Sequence, residues 1–366
     1  MKKILILSNH PDYTYNFRKE IIYQLIEEGY QVIVSSPYGK KIDVLIEEGI
    51  IYESIDFDRH GKNPFKDLQL IYLYFKLINQ YKPNLILSYT IKPNIYGGLV
   101  AQLYNIPYLP NITGIGGALA NKGITNLITK YLYTLSIKKA EVTFFQNKAN
   151  LNFFIQKNII KQNYKILPGS GVNVEQFLPV NQEKKDDKIR FLFIGRLMKE
   201  KGIEEYLEAA DSLTQIHNNI EFQILGFFEE DKYKNILKEN KNPCIRYLGI
   251  SSDVRNEIQQ VDCVVNPSYH EGMSNVLLES AAMEKPLLAS DIPGCKEIIE
   301  DGQNGFLFKA QSTELLKNAI IKFIQLNQDE REIMGKKSRK KVVREFDRQI
   351  VVDSYLEEIQ NILGEE

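Results

Sequence analysis

The sequence predicts an α/β protein made of two doubly wound, Rossmann-like domains that face each other across a cleft. Its 366 residues suit two domains of ordinary size. Short apolar runs alternate with longer helical patterns, which is typical of parallel strands joined by crossover helices. This alternation stops near residues 168–171, a polar stretch follows at 181–188, and the alternation then begins again.

The first domain is predicted over residues 1–170. Helices are expected between its strands, for example at 16–28 and at 68–80, where Leu70, Tyr74 and Leu77 recur at helical spacing on one face. The apolar runs predict strands at 3–8, 31–35, 51–55, 84–88, 108–112 and 142–146.

The second domain is predicted over residues 171–346. A last helical segment, 349–363, follows the end of its alternation, and we expect residues 347–366 to return to the first domain. The predicted strands are 189–194, 220–225, 245–248, 263–266, 287–290 and 306–308. The predicted helices are 203–213, 231–239, 254–260, 275–283 and a short one near 296–300.

Composition limits the classes of protein to consider. No apolar run is long enough to predict a transmembrane helix. The apolar core at 4–7 is too short for a secretion signal, so a buried first strand is the better interpretation. Three cysteines without metal-ligand spacing favour free thiols in a reducing cytoplasm. The net charge of −1 argues against nucleic acid as a partner.

Charge is unevenly distributed between the two halves. Residues 1–180 hold 20 basic and 13 acidic side chains, whereas the remainder holds 26 and 34. The stretch 122–165 carries eight lysines and only one acid, Glu141. Such a surface suits anionic lipid headgroups, although the charges alone are better explained by a solvated helix face.

The most informative segment runs from Pro267 to Ser280 and contains two glutamates, Glu271 and Glu279. On one continuous helix these would lie about 80° and about 12 Å apart. We therefore place Glu271 in the loop after strand 263–266 and Glu279 one turn inside the next helix. The free N–H groups at that helix start suit a phosphate. The expected donor-side residues around it are Gly272, Met273, Ser274, Asn275 and Val276. Two exposed glutamates around an ordinary helix start are an equally good interpretation of these residues.

A second segment, Gly195-Arg196…Lys201-Gly202, follows the first strand of the second domain. Arg196 and Lys201 would stabilise the charge that develops on a departing diphosphate, the task a divalent metal performs elsewhere. No Asp-x-Asp signature stands where a metal would need it, after a strand and facing a cleft, so we expect neither a metal ion nor a cofactor. Taken singly, each cation is better explained by solvation.

Three weaker signals accompany these segments. Gly226 follows one predicted strand, and Gly249 with Ile250 follows another. Such turns can line the pocket of a nucleotide base, or they can be ordinary turns after a strand. The loop from Thr113 to Gly116 lacks the third glycine of a dinucleotide fingerprint and is expected to face the cleft. His10 and His270 are candidates of lower rank than Glu271.

Together with Ser290-Asp-Ile-Pro-Gly294…Glu297…Gly302…Gly305-Phe306, these segments resemble the retaining GT-B glycosyltransferases of family 4. The resemblance implies a nucleotide donor, most often UDP, and transfer with retention at the anomeric carbon. It also implies that Arg196 and Lys201 hold the donor diphosphate, that Glu271 contacts the transferred sugar and that Glu279 binds the ribose.

In the first domain, Lys82-Pro83…Tyr89-Thr-Ile-Lys92-Pro93-Asn94 is similar to a subgroup of that family. The subgroup builds capsule, O-antigen or N-glycan precursors on polyprenyl diphosphate, which implies a lipid-linked saccharide acceptor at the inner face of the cytoplasmic membrane. The candidate acceptor contacts are Arg18, Arg59, Lys92, Thr113 and Gly116. Two other functions stay open: a non-hydrolysing UDP-sugar 2-epimerase, and a sugar-binding protein without chemistry.

Overall fold

The computed structural model describes residues 1–56, 63–115, 119, 123–180 and 186–364. The chain divides into two compact units, one comprising Met1–Ser170 with Gln349–Glu366 and the other Gly171–Arg348. Each unit contains one parallel sheet flanked by helices, so the predicted α/β class with two Rossmann-like domains is confirmed.

The first unit holds a seven-stranded sheet in the order β3-β2-β1-β4-β5-β6-β7. The sequence did not predict its last strand, because three residues centred on a lysine are too short to show a pattern. The strands are β1 Lys3–Leu7, β2 Gln31–Ser36, β3 Ile51–Ser54, β4 Leu85–Tyr89, β5 Tyr108–Ile112, β6 Thr143–Phe145 and β7 Tyr164–Ile166.

The second unit holds a six-stranded sheet in the order β10-β9-β8-β11-β12-β13. Its strands agree with the predicted runs within one residue. They are β8 Ile189–Ile194, β9 Ile220–Leu225, β10 Ile245–Gly249, β11 Cys263–Asn266, β12 Leu287–Ser290 and β13 Gly305–Phe308.

Helices of the first unit begin earlier than the apolar spacing predicted. The first starts at Pro11 after the cap His10, and the third at Pro64 after the cap Asn63, because proline suits the first helical position. A π-helical turn, Pro93–Gly97, runs directly into α4. The helices are α1 Pro11–Glu27, α2 Lys41–Glu47, α3 Pro64–Tyr81, α4 Gly98–Leu103, α5 Ile124–Ser136 and α6 Lys148–Gln156.

Helices of the second unit are α7 Ile203–Thr214, α8 Lys232–Glu239, α9 Arg255–Gln259, α10 Asn275–Ala282, α11 Thr313–Gln325 and α12 Gln328–Glu345. The predicted helix near 296–300 is wrong, because residues 293–298 form successive turns instead. Gly294 has φ +86°, which a right-handed helix does not permit. Gly302, with φ +75°, then leaves too few residues between the two glycines for a regular helix.

The last helix, α13 Arg348–Leu363, belongs to the first unit for all but its first residue. Val351, Val352 and Tyr355 are buried in the first unit's core, where the Tyr355 ring lies 4.5 Å from that of Phe144. The Asn111 side-chain amide donates to the Tyr355 hydroxyl at 2.7 Å.

Both sheets reverse their strand order next to their first strand. The chain leaves β1 toward β2 and β3 and then returns to place β4 on its other side; β8 and β11 are related in the same way. Crevices at the carboxyl ends of such neighbouring strands are where open α/β sheets bind ligands. Within the described residues, every helix is too short or too polar to cross a bilayer.

Candidate active site

The second unit brings two predicted site residues into direct contact at the reversal point of its sheet. Lys201, in the 3-10 turn after β8, donates from Nζ to Glu271 Oε1 at 2.6 Å. Glu271 lies in the loop after β11, and both side chains are partly exposed. Gly202 has φ +73°, and a Cβ there would lie 2.2 Å from the Pro267 carbonyl oxygen. Glycine therefore permits the close approach of the two loops.

The loop that carries Glu271 leads into α10, whose start is built as the spacing predicts. Ser274 is the N-cap, and its Oγ accepts from the Leu277 N–H at 3.4 Å. Asn266, the last residue of β11, donates its side-chain amide to the same Oγ at 2.6 Å. Asn275 and Val276 form the first turn and Glu279 lies one turn further on, so backbone N–H groups and two carboxylates flank one helix start.

Two groups beside this start were not among the candidate site residues. The Ser274 N–H donates to the Gly294 carbonyl at 2.9 Å, and the Gly294 N–H donates to the Glu297 carboxylate at 2.7 Å. Glu297 thus holds the turn against which the cap rests. The signal was present in the Pro293-Gly294 pair, which predicts a turn and not the helix we expected there.

Arg196 contacts a different acid from Lys201. Its guanidinium lies 3.5 Å from Glu229, in the loop after β9, and each side chain is more than a third exposed. Glu229 was missed because an exposed glutamate carries no motif of its own. The adjacency of β8 and β9 is the only signal that points to it.

Cys295 lies buried beside the Lys201–Glu271 pair. Burial raises the pKa of its thiol well above the usual range, Glu271 raises that pKa further, and Lys201 lowers it. The thiol therefore stays protonated and acts as a neutral neighbour of the pair.

The three glycines that end β8, β9 and β10 pack backbone against backbone. The Gly226 N–H donates to the Gly249 carbonyl at 2.8 Å, and a Cβ on Gly226 would lie 1.7 Å from the Gly195 carbonyl oxygen. Close packing thus explains Gly226, whereas Gly249, with open space around it, is explained by its φ of +85°. Ile250, just beyond Gly249, is 72% exposed. A role for Gly195, Gly249 and Ile250 in donor binding stays a prediction.

Two of the candidate acceptor residues, Lys92 and Arg18, are engaged within the first unit. Lys92 binds Asp67 at 2.8 Å, and Arg18 is buried with its guanidinium 4.1 Å from the centre of the Tyr89 ring. Thr113 follows β5 and is half-buried. The other two candidates, Arg59 and Gly116, lie outside the described residues.

The remaining candidates of the sequence are placed as follows. His10 caps α1, accepting from the Asp12 N–H at 3.2 Å, and its ring stacks on Tyr13. His270 is exposed in the loop after β11, next to Glu271. Among residues that the structure describes, no group of three or more His, Cys, Asp or Glu side chains is arranged to hold a metal ion.

Comparison with known families accounts for both units. Residues 3–147 match the family described as glycosyl transferase 4-like, and residues 174–341 match the family described as glycosyl transferases group 1. Each match falls within one unit, and together they span most of the chain. The chain therefore belongs to the glycosyltransferases of GT-B fold and is a hexosyl-transferring enzyme. This assignment decides among the three functions left open by the sequence.

Two relatives illustrate the family. An N,N'-diacetylbacillosaminyl-diphospho-undecaprenol α-1,3-N-acetylgalactosaminyltransferase of Campylobacter jejuni is 28% identical over 97% of both chains. A UDP-Gal:α-D-GlcNAc-diphosphoundecaprenol α-1,3-galactosyltransferase of Escherichia coli is 24% identical, over 77% of this chain and 76% of that enzyme.

The fold also matches a solved structure along its full length. A glycosyltransferase of Rickettsia africae superposes with a TM-score of 0.84 at 20% identity, covering 100% of this chain and 99% of that one. At this identity the likeness establishes the fold alone.

Proposed function

We propose that the enzyme transfers a sugar, an N-acetylhexosamine or a related hexose, from a UDP-sugar to a saccharide linked to polyprenyl diphosphate. The reaction retains the configuration of the anomeric carbon, needs no metal ion and takes place at the inner face of the cytoplasmic membrane. It belongs to surface-glycan synthesis.

The observation that carries the proposal is the contact between Lys201 and Glu271 at the reversal point of the second sheet, beside the start of α10. A partly exposed lysine that is paired only with a carboxylate can exchange that partner for a diphosphate. Glu271 is then released to accept hydrogen bonds from hydroxyl groups of the transferred sugar. The N–H groups of the first turn of α10 add the dipole and donors that a phosphate needs.

Arg196 supplies a second cation at the same sheet edge, in the loop after β8, which is the strand next to β11. Fixed cations stabilise a leaving diphosphate without rearrangement at the moment of reaction. Glu279 stands inside α10 and is assigned to the ribose hydroxyls of the donor.

The names of the two relatives support the acceptor and the stereochemistry. Both act on a sugar bound to diphospho-undecaprenol, and one is named for a UDP-sugar donor. Both names give an α-1,3 linkage, and an α product formed from an α-linked nucleotide sugar keeps its anomeric configuration.

The test incubates purified enzyme with UDP-GlcNAc, UDP-GalNAc, UDP-Gal, UDP-Glc or GDP-mannose and a short-chain polyprenyl-diphosphate monosaccharide. Mass spectrometry should show one added sugar with one of the UDP donors, and the anomeric coupling in the product should be that of an α-linkage. A product made only from GDP-mannose, or a β-linked product, contradicts the donor or the stereochemistry. Donor incubated without acceptor should stay unchanged.

Metal independence has a separate test. Activity should be the same after dialysis against EDTA as after addition of Mg²⁺ or Mn²⁺, since Arg196 and Lys201 provide the charge. Loss of activity in EDTA that Mg²⁺ restores would refute this part of the proposal and leave the others in place.

A further inference from the structure

Helix α5 exposes large apolar side chains that a helix packed only on a core would bury. Its buried positions are Thr129, Tyr133 and Ser136, two of them small and polar. The opposite side exposes large apolar side chains at a spacing of i, i+3, i+4 and i+7. These are Ile124, Leu127, Ile128 and Tyr131, exposed by 77%, 66%, 54% and 65%.

The same layer of helices continues this exposed apolar surface. Helix α3 buries Leu70, Tyr74 and Leu77 against the sheet and exposes a second apolar row. Helices α3 to α6 all cover one face of the first sheet, because their buried residues share a single core. The apolar side chains on the outside of this layer are Phe65, Leu68, Tyr72, Phe75, Leu103, Ile124, Leu127, Ile128 and Tyr131, which we call the outer helical face.

The outer helical face is held as one surface by the segment between its two main helices. The π-helical turn and α4 pack against both α3 and α5. Gln102 at the end of α4 donates to the carbonyl groups of Leu135 and Ser136 at the end of α5, at 2.8 and 2.7 Å. Rings of Phe75 and Tyr104 lie 5.2 Å apart. The exposed rows of α3 and α5 are therefore fixed with respect to one another.

Charge around this face is mainly positive, although Glu141, just after α5, is exposed as well. Of the four helices α3 to α6, all of which the structure describes, the only acidic residue is Asp67, and it is bound by Lys92. Exposed lysines in and beside these helices are Lys66, Lys76, Lys82, Lys138, Lys139, Lys148 and Lys157. Lys165, which the sequence grouped with them, instead pairs with Glu357 and Glu358 of α13.

We propose that the outer helical face is the surface by which the enzyme inserts into an anionic lipid bilayer. Apolar and aromatic side chains enter the boundary between headgroups and acyl chains, and the surrounding lysines bind lipid phosphates. A second copy of the chain is a poorer occupant, because pairing two such faces would bring lysines of like charge together. The inference rests on the proposed function in one respect: a lipid-linked acceptor is the reason for the enzyme to bind a bilayer.

The test measures binding of the full chain to vesicles with no donor or acceptor present. Vesicles of phosphatidylcholine with phosphatidylglycerol are compared with vesicles of phosphatidylcholine alone by flotation. Wild-type enzyme should bind the anionic vesicles more tightly, and added salt should weaken this binding. Equal binding to both lipids, or none, overturns the proposal.

Two variants with matched controls locate the surface. Leu127→Ser with Ile128→Ser should lower the partition coefficient on anionic vesicles by about tenfold or more, because apolar area is lost from the inserted face. The control, Ile216→Ser with Ile333→Ser, removes two second-unit side chains of similar exposure, 73% and 52%, and should bind as wild type. Lys138→Glu with Lys139→Glu should remove the preference for anionic lipid, whereas Lys336→Glu with Lys340→Glu should not.

The outcomes separate this proposal from the proposed function. If Leu127→Ser with Ile128→Ser binds vesicles as well as the control does, the surface assignment is wrong whatever the enzyme transfers. If sedimentation in the absence of lipid shows a wild-type dimer that this variant dissociates, the face is a dimer interface and the proposal is overturned. If Leu127→Ser with Ile128→Ser loses vesicle binding but the wild-type enzyme uses no polyprenyl acceptor, the surface assignment stands. Only the proposed function is then refuted. With a water-soluble acceptor, the variant should turn over as wild type.

Discussion

The two sheets run through the same order in their first four strands, yet their carboxyl edges hold different kinds of side chain. At the edge of the second sheet, Lys201 and Glu271 form a partly exposed ion pair beside the capped start of α10. At the edge of the first sheet, His10 caps α1 and Lys92 binds Asp67. The shared topology thus forms two crevices that are lined by different side chains.

The difference indicates at which edge a charged side chain can exchange its protein partner for a ligand. The Lys201–Glu271 pair is no more exposed than Lys92–Asp67, but it lies beside the start of α10. The N–H groups of that helix start favour an anion, so a ligand of higher charge can replace the carboxylate there. A cap such as His10 is committed to local structure and costs stability when it is removed. We therefore expect substitutions at the second edge to affect donor use, and substitutions around the first sheet's polar groups to affect stability first.

The largest effect should follow Lys201→Ala. Removal of one preorganised charge from a leaving group lowers kcat by about 100- to 1,000-fold, as for a single oxyanion donor. Lys199→Ala in the same 3-10 turn is the control, because Lys199 is 61% exposed and reaches Glu204 only at 4.0 Å. Steady-state kinetics should leave that control within about twofold of wild type, as expected for a surface substitution. Equal losses in both variants would remove the special role of Lys201.

A smaller effect, on binding, should follow Glu279→Ala. If the carboxylate receives ribose hydroxyl groups, its loss weakens UDP binding by about 10- to 100-fold, since hydrogen bonds to charged groups are worth about 1.5–3 kcal/mol. Glu279→Gln keeps one acceptor oxygen and should lose less. Calorimetric titration with UDP measures both, and wild-type affinity in Glu279→Ala would count against the ribose assignment.

Much of the second sheet was predictable because its buried parallel strands are mainly apolar, with polar residues inside only β8 and β9 among the four best-predicted strands. Strands β8, β9, β11 and β12 begin and end where the apolar runs do. Helix starts were less predictable, because a cap and a proline, as at Asn63-Pro64, carry no apolar periodicity. The turns at 293–298 were mistaken for a helix because the turn signal of Pro293-Gly294, where Gly294 has φ +86°, was given too little weight.

The candidate site was predictable in its parts but not in its contacts. Each of Lys201 and Glu271 stands in a loop after a strand, 70 residues apart, and only the placement of β11 beside β8 joins them. Glu229 resembles a solvated acid in the sequence, and Glu297 stands in a recognised motif that does not reveal its contact. Their roles depend on which loops the sheet makes adjacent.

A third prediction concerns the turn that supports the cap of α10. Gly294→Ala places a side chain at φ +86° with its Cβ 2.6 Å from the Gly272 carbonyl oxygen. Backbone strain and overlap together should cost about 2–5 kcal/mol of unfolding free energy and weaken UDP binding. Gly302→Ala, at φ +75° with open space around it, is the matched control and should show the strain alone, about 1–2 kcal/mol. Similar unfolding curves for the two variants would show that the Gly272 contact is unimportant.

The smallest effect belongs to the first unit and tests the other side of the comparison. Tyr355→Phe removes the acceptor of the buried Asn111 amide, so one N–H loses its partner and stability should fall by about 1–3 kcal/mol. Amide hydrogen exchange resolves the two units, and faster exchange should be confined to β5 and α13. Tyr131→Phe alters an exposed hydroxyl and should change nothing. UDP affinity should be that of wild type in both variants, because all the donor contacts that we propose lie in the second unit. A weakened UDP affinity in Tyr355→Phe would break the proposed division of labour between the two sheet edges.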